Sequence, residues 1–446
     1  MDYDLTKGDI MKNLLKFAFP IMLGNMLQQL YNVADTLIVG RYLGQEALAA
    51  VGSSYTLMVF ITSILLGLCM GSGAFFSMQF GSREYGRLKK GIFLSFVWIG
   101  LTSLLLMLLA YGNTRQILAF LQVPGEVAPL MEEYLLWIFA GIPAVFLYNF
   151  AANLLRAVGN SFVPLCFLGL SALLNILLDL LFICRFHWGV GGAAAATVLS
   201  QYLAGGGILY YCTRHYPSLR IQREHCCMDR KILKELAGLS TLTCLQQSVM
   251  NFGILMVQGL VNSFGAVVMA AFAAAVKIDS FAYAPVQDFG NAFSTFVAQN
   301  FGAGKTERIR KGMRDAVAAV FIFCLAVSGL VFAFAGNLMG MFLEEGNQEA
   351  AAVGLGYLRI EGSFYFGIGL LFLFYGYFRA VHLPGVSVVL TVISLGTRVA
   401  LAYILSAVPA LGVSGIWMSV PIGWGLADIA GGWYYYKEQK KHRPLR

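Results

Sequence analysis

The fold class that the chain predicts is all-α: a polytopic membrane protein whose twelve transmembrane helices form two pseudo-symmetric six-helix bundles. Three observations predict it. Charged residues make up 12% of the chain and hydrophobic residues 58%. Soluble domains carry roughly 25% charged residues, so no water-facing surface covers this much apolar chain. Apolar runs of about 20 residues, the length that spans a bilayer as a helix, recur from end to end. They are continuously apolar and do not alternate with period two, which points to helices and away from a barrel. The third observation is a duplication. QFGSREYGRLKKG from Gln79 returns as FGAGKTERIRKG from Phe301, which pairs Gly81 with Gly302, Arg87 with Arg308, Lys90 with Lys311 and Gly91 with Gly312 at an offset of 221. At an offset of 223, Tyr134 then pairs with Tyr357, Arg156 with Arg379, Gly189 with Gly412 and Gly192 with Gly415. Polar and glycine positions carry the match, and each half holds an even number of spans, so the copies share one orientation.

Taken in order, the first span, 16–40, follows Lys7, Lys12 and Lys16 and stops at Arg41. The second, 53–78, ends at the repeat segment, and the third, 91–111, starts directly after Lys89 and Lys90. Arg156 closes the fourth, 134–155, and Arg185 the fifth, 162–184; the sixth, 190–211, is rich in glycine and alanine. The one long charged connector, 213–235, is the interlobe linker between an N-lobe, 1–212, and a C-lobe, 236–446. The second half repeats the scheme with spans at 238–262, 268–298, 315–336, 357–378, 386–406 and 412–435, then a basic tail. The second and eighth runs are long enough to extend beyond the bilayer. The 49 glycines suit close helix packing.

Basic residues orient these spans. Of the 31 lysines and arginines, 25 fall in the termini and in alternate connections, and three, Arg41, Arg115 and Arg185, fall on the other side. Both termini are therefore expected in the cytoplasm. The net charge of +8 follows from that topology and does not imply nucleic-acid binding. The first run is too long for a cleavable signal peptide and is followed directly by further spans. Eight scattered cysteines show no CxxC spacing and read as free thiols.

Enzymatic chemistry is excluded by what the chain lacks. There is no phosphate loop, HExxH or GxSxG, and the five histidines form no metal-holding pair. No cofactor is expected.

Acids within the spans carry the functional signal. Asp35 lies six residues before Arg41, and Asp179 six residues before Arg185. At about 1.5 Å per residue both carboxyl groups sit about 9 Å below the outer boundary, where an uncompensated charge is costly. Tyr31 stands one turn before Asp35 and Asn175 one turn before Asp179, and Thr197 reaches the same depth from the sixth span. Two carboxyl groups, an amide, a phenol and a hydroxyl make an oxygen set suited to a proton or to Na⁺. A purely structural network that pins helices together is the alternative reading. The second half lacks this set, with Ala402, Arg398 and Val420 at the positions of Asp179, Asn175 and Thr197. It holds Lys277, Asp279, Asp288, Glu361 and Arg398 instead, which read as a balancing charge network.

ADTLIVGRYLGQEALAAVG from Ala34, LLRAVGN from Leu154 and WGVGGAAAATVLSQ from Trp188 resemble the multidrug and toxic compound extrusion (MATE) family, and the resemblance covers almost the whole chain. QNFGAGKTERIRKG and LGVSGIWMSVP resemble its bacterial MepA-like branch. The resemblance implies export of organic cations in exchange for Na⁺ or H⁺. It also implies an N-lobe coupling site of Asp35, Asn175, Asp179 and Thr197, with Tyr31 and a fourth-span asparagine, Asn149 or Asn153, nearby. Family members with C-lobe acids carry them on the seventh and tenth helices, where this chain has Gln246, Gln247 and Gly367 to Gly369. The expected function is a cation-coupled exporter of lipophilic, mostly cationic compounds, acting as a monomer without an obligate protein partner. The alternative is a flippase for lipid-linked cell-envelope precursors, for which Lys277 and Arg398 supply basic groups.

Overall fold

The computed structural model describes residues 4–120, 123, 125–341 and 348–441. The chain is helical throughout, in the order α1 (Ile10–Leu43), α2 (Gln45–Gly81), α3 (Tyr85–Gly112), α4 (Thr114–Phe120), α5 (Ala128–Ala140), α6 (Ile142–Ala157), α7 (Phe162–Asp179), α8 (Gly189–His215), α9 (Arg230–Asn262), α10 (Ala266–Gly302), α11 (Thr306–Gly340), α12 (Gln348–Gly362), α13 (Tyr365–Ala380), α14 (Pro384–Ser406) and α15 (Val413–Lys441). A π-helical turn, Leu180–Arg185, extends α7.

The helices make twelve spans when α5 with α6 and α12 with α13, bent by 41° and 52°, are each taken as one. Among the described residues, seven further helices are long and apolar enough to cross a membrane: α2, α3, α7 with its π turn, α9, α10, α11 and α14. The remaining three, α1, α8 and α15, are diluted by polar or small residues: Gln28, Gln29 and Asp35 in α1, a glycine- and alanine-rich start in α8, and Asp428 with paired glycines in α15. At 37 residues each, α2 and α10 are about 55 Å long, well beyond a hydrocarbon core of about 30 Å.

The duplication is visible in the backbone. Left-handed residues recur at the repeat offsets: Gly44 with Gly265, Arg83 with Gly304, Gly159 with His382 and Gly189 with Gly412. Each pair sits at a turn between helices, where the chain must reverse and glycine adopts φ > 0 without strain. Packing repeats as well. A Cβ on Gly91 would overlap the Phe75 ring, and one on Gly312 the Phe296 ring. Arg87 lies 5.9 Å from the Phe75 centroid and Arg308 5.8 Å from that of Phe296.

Two compact units result. Unit 1 comprises Met1–Asp4 with Lys16–Cys244, and unit 2 comprises Leu5–Leu15 with Leu245–Arg446. The chain changes unit inside α1 and again inside α9, both of which are unbroken helices. In unit 1 the start of α9 is tied to α2 by a Ser72–Ser240 hydroxyl contact of 3.0 Å, and to α3 by an Arg87–Glu235 ion pair. In unit 2 the N-terminal segment is held through its backbone. Leu5 N donates to Gln299 Oε1, Lys305 Nζ donates to Thr6 O, and Arg308 donates to the carbonyls of Leu5, Lys7 and Gly8.

Candidate functional site

Unit 1 gathers its polar groups from four spans. Asp35 and Tyr31 share one face of α1, Asn175 and Asp179 share one face of α7, Thr197 comes from α8 and Tyr134 from α5. Asp35 and Asp179 lie side by side and act directly on each other. Asn175 donates from Nδ2 to Thr197 Oγ1 at 3.2 Å, and the Thr197 hydroxyl donates to Ala193 O at 3.1 Å. Tyr31 lies close enough to Asp35, and Tyr134 close enough to Asp35, Asp179 and Tyr31, to be influenced by them.

Asp179 is fully buried and Asn175 is 2% exposed. Both Asp179 oxygens, Asp35 Oδ1 and Asn175 Oδ1 have no hydrogen-bond donor among the described residues. Every one of these orphaned atoms is an acceptor, and buried acceptors of this kind are costly unless a positive group shares the site. Val39, Val51, Ile138, Ile183 and Val198, from the same helices or their immediate extensions, belong to an apolar cluster that has Tyr134 among its members. No group of three or more His, Cys, Asp or Glu is placed to hold a metal among the described residues.

Asn149 and Asn153 each donate their side-chain amide to the carbonyl one turn earlier on α6, at 2.9 and 2.8 Å.

Unit 2 gathers a different cluster. Asp279 of α10 and Glu361 of α12 are 5% and 1% exposed and act on each other, with Arg398 of α14 close enough to influence both. The Tyr357 hydroxyl donates to Asp279 Oδ2 at 3.4 Å. Lys277, two residues from Asp279 and on another face of α10, is exposed, and Asp288 is buried further along the same helix.

Four residues near these groups carry no mark in the sequence as site members. Tyr134 and Tyr357 serve there only as a matched pair, and that pairing is the signal, since each lies close to the acids of its own unit. Tyr365 faces Asp279 from the start of α13. Asp428 lies midway along α15, where Oδ2 would be 3.5 Å from a Cβ on Gly367 and Oδ1 is buried without a donor.

Comparison with known proteins agrees with the duplicated architecture. The MatE family pattern matches twice, over residues 20–181 and 242–404. The probable multidrug resistance protein YpnP of Bacillus subtilis (strain 168) is 31% identical over 97% of this chain and 96% of its own length. The multidrug export protein MepA of Staphylococcus aureus (strain NCTC 8325 / PS 47) is 23% identical over 96% of this chain and 94% of its own. A solved outward-facing multidrug resistance MATE transporter of the MOP superfamily superposes with a TM-score of 0.92 at 24% identity, covering 99% of this chain and 98% of that one. A MOP superfamily transporter from Pyrococcus furiosus, described as having a binding pocket of reversed polarity, gives 0.91 at 24% identity over 97% of both chains. With twelve spans, an internal duplication, a family pattern that falls once in each half and a relative at 31% identity along nearly its full length, the chain belongs to the MatE family of multidrug and toxic compound extrusion proteins, which are membrane transporters and not enzymes.

Proposed function

We propose that this transporter is a cation-coupled antiporter that exports lipophilic, mostly cationic compounds by alternating access, with Na⁺ or H⁺ as the exchanged ion. One observation carries the reading: four buried acceptor oxygens on Asp35, Asn175 and Asp179 converge without a donor. Two adjacent carboxyl groups favour any positive species that enters. Occupation by Na⁺ or H⁺ weakens their hold on a positively charged drug, and departure of the ion restores it. The scheme requires the ion and the drug each to prefer a different state of the transporter, because binding that is merely tight shifts no equilibrium. The relatives named for multidrug resistance or export support the substrate class. The excess of basic residues on one side of the spans supports a bacterial cytoplasmic membrane location with both termini inside.

The test is transport. In cells lacking their own pumps, expression should lower ethidium accumulation. In proteoliposomes with Na⁺ and pH gradients imposed separately, at least one inward gradient should accelerate ethidium export. Ethidium flux indifferent to both gradients would overturn the coupling, and rescue of a flippase-deficient strain alongside it would favour a lipid-precursor substrate.

A further inference from the structure

The C-terminal half of α15 turns one face outward, and the side chains on that face are sorted by chemistry along the helix. Ile422, Leu426, Ile429, Trp433 and Tyr436 recur at spacings of three or four residues and are all exposed, and the exposed Lys437 and Lys440 continue the same stripe. The order is aliphatic, then aromatic, then basic. From Ile422 to Trp433 is a rise of about 16 Å, close to the hydrocarbon thickness of one leaflet, about 15 Å. Tryptophan and tyrosine favour the membrane–water interface, and lysine the headgroup region beyond it. The opposite side of the same turns is occupied by protein. Gln439 Oε1 accepts from Arg310 Nε of α11 at 3.0 Å, Gln439 Nε2 donates to the Tyr377 hydroxyl of α13 at 3.4 Å, and the Tyr435 and Tyr377 ring centroids are 4.9 Å apart. These contacts fix which side of α15 looks into the lipid. The repeat reproduces the stripe in unit 1 only in part. At the offset of 223 the exposed Leu199, Leu203 and Tyr210 of α8 correspond to Ile422, Leu426 and Trp433, and Arg214 corresponds to Lys437. Tyr436 and Lys440 correspond to Thr213 and Pro217, and α8 ends at His215. Unit 2 therefore has a second aromatic and basic level that unit 1 lacks.

We propose that this end of α15 is a docking face for an acidic phospholipid, with the headgroup phosphate held between Lys437 and Lys440 and an acyl chain lying along Leu426 and Ile429. Each ammonium group rests over an aromatic ring: Lys437 Nζ lies 5.2 Å from the Trp433 centroid, and Lys440 Nζ 4.7 Å from that of Tyr436. Neither lysine forms an ion pair among the described residues. A ring orients an ammonium group without neutralising it. Two positive charges about one turn apart are thus held ready at headgroup depth with no carboxylate to balance them. The complementary partner is a phosphate diester, which the anionic lipids of a membrane surface supply. A soluble anion would meet the lysines alone. A lipid engages both parts of the face, its phosphate at the lysines and its chain along the aliphatic residues earlier in the helix. The inference needs only that the chain spans a membrane; neither the coupling ion nor the exported compound enters it.

The test compares lipids that differ only in headgroup. Purified full-length protein, stripped of lipid in a neutral detergent, is melted with phosphatidylglycerol or with phosphatidylcholine of the same acyl chains. Phosphatidylglycerol should raise the melting temperature by at least about 2 °C more than phosphatidylcholine does, because a ligand that binds only the folded state stabilises it. Lys437→Gln/Lys440→Gln should lose about half or more of that difference. Lys89→Gln/Lys90→Gln, which removes the same charge elsewhere in the chain, should keep most of it. Soluble glycerol phosphate should give no shift. Tryptophan fluorescence is a second readout: phosphatidylglycerol with brominated acyl chains should quench more than brominated phosphatidylcholine, and Trp433→Phe should remove about half or more of the excess. If the lysine variant does not accumulate, the Trp433 comparison decides. The proposal is overturned if phosphatidylcholine stabilises as well as phosphatidylglycerol, or if the two lysine pairs cost the same. It is overturned equally if glycerol phosphate alone reproduces the shift, which would mark a site for a soluble anion, or if the excess quenching survives Trp433→Phe.

Discussion

Asp179 sits on the last turn of α7, one residue before the helix widens into its π turn, and is fully buried with neither oxygen bonded. Widened turns of this kind are frequent at functional sites, and here the widening falls directly after the acid that faces Asp35. Asparagine keeps the shape of either residue and removes its charge. Asp35→Asn and Asp179→Asn should each slow gradient-driven ethidium efflux from proteoliposomes by at least about tenfold, or ~1.4 kcal/mol. The melting temperature should hold or rise, since one of two adjacent like charges is gone. Wild-type efflux from both variants would sink the assignment. Tyr134→Phe removes only a hydroxyl beside the pair and should be milder. The ion concentration for half-maximal efflux should rise while the maximal rate stays near wild type. An unchanged ion dependence would place Tyr134 outside the site.

Between elements, close approach is decided by glycine. A Cβ on Gly71 of α2 would collide with the backbone of Leu239 and Ser240 on α9, whereas one on Gly169 of α7 would meet nothing within 4 Å. Gly71→Val should therefore force α2 and the first half of α9 apart and lower stability by about 1–3 kcal/mol, as overpacking does. Gly169→Ala should leave the melting temperature unchanged or slightly raised. Equal melting of the two variants would show that the α2–α9 contact yields without cost. The order of the spans was legible because length and apolarity alone determine which segments cross a bilayer, and charge did the rest at Arg41, Arg156 and Arg185. The bends were less legible. At α5–α6, Gly141 and Pro143 give a local cause, since proline lacks the N–H and crowds the preceding turn. At α12–α13, Ser363 and Phe364 give no such cause for the 52° bend. For the polar groups, depth counting from Arg41 and Arg185 put Asp35 and Asp179 at one level, and the structure sets them side by side. Depth counting could not have separated Lys277 from Asp279, because which face of α10 turns inward is settled by its packing against α12 and α13. Asp428 escaped notice because the tail of α15 dilutes its apolar run.

For the whole chain, orientation is the property on which any account of export direction depends, and the interlobe linker is the place to test it. The linker folds as two short 3-10 turns, Pro217–Leu219 and Arg223–His225, that pack against α3. Leu219 and His225 are its buried members at 5% and 8% exposure, and Gln222 and His225 cap each other in a reciprocal box. It is therefore an ordered strap, and it packs on the helix whose first two turns carry Arg87, Lys89 and Lys90. Cys226 and Cys227 follow the second turn and are exposed. In a variant that keeps only these two thiols, the charge distribution requires them to face the cytoplasm, where the inner leaflet attracts basic segments. A membrane-impermeant maleimide added to intact cells should leave them unlabelled, and the same reagent should label them after permeabilisation. Labelling of intact cells would invert the topology. Asp35 and Asp179 would then lie near the cytoplasmic boundary instead of the outer one, and an inward ion gradient could no longer reach them first from outside. The orientation result thus bears directly on the exchange scheme, because the same depth count that pairs the two acids also decides which side of the membrane loads them.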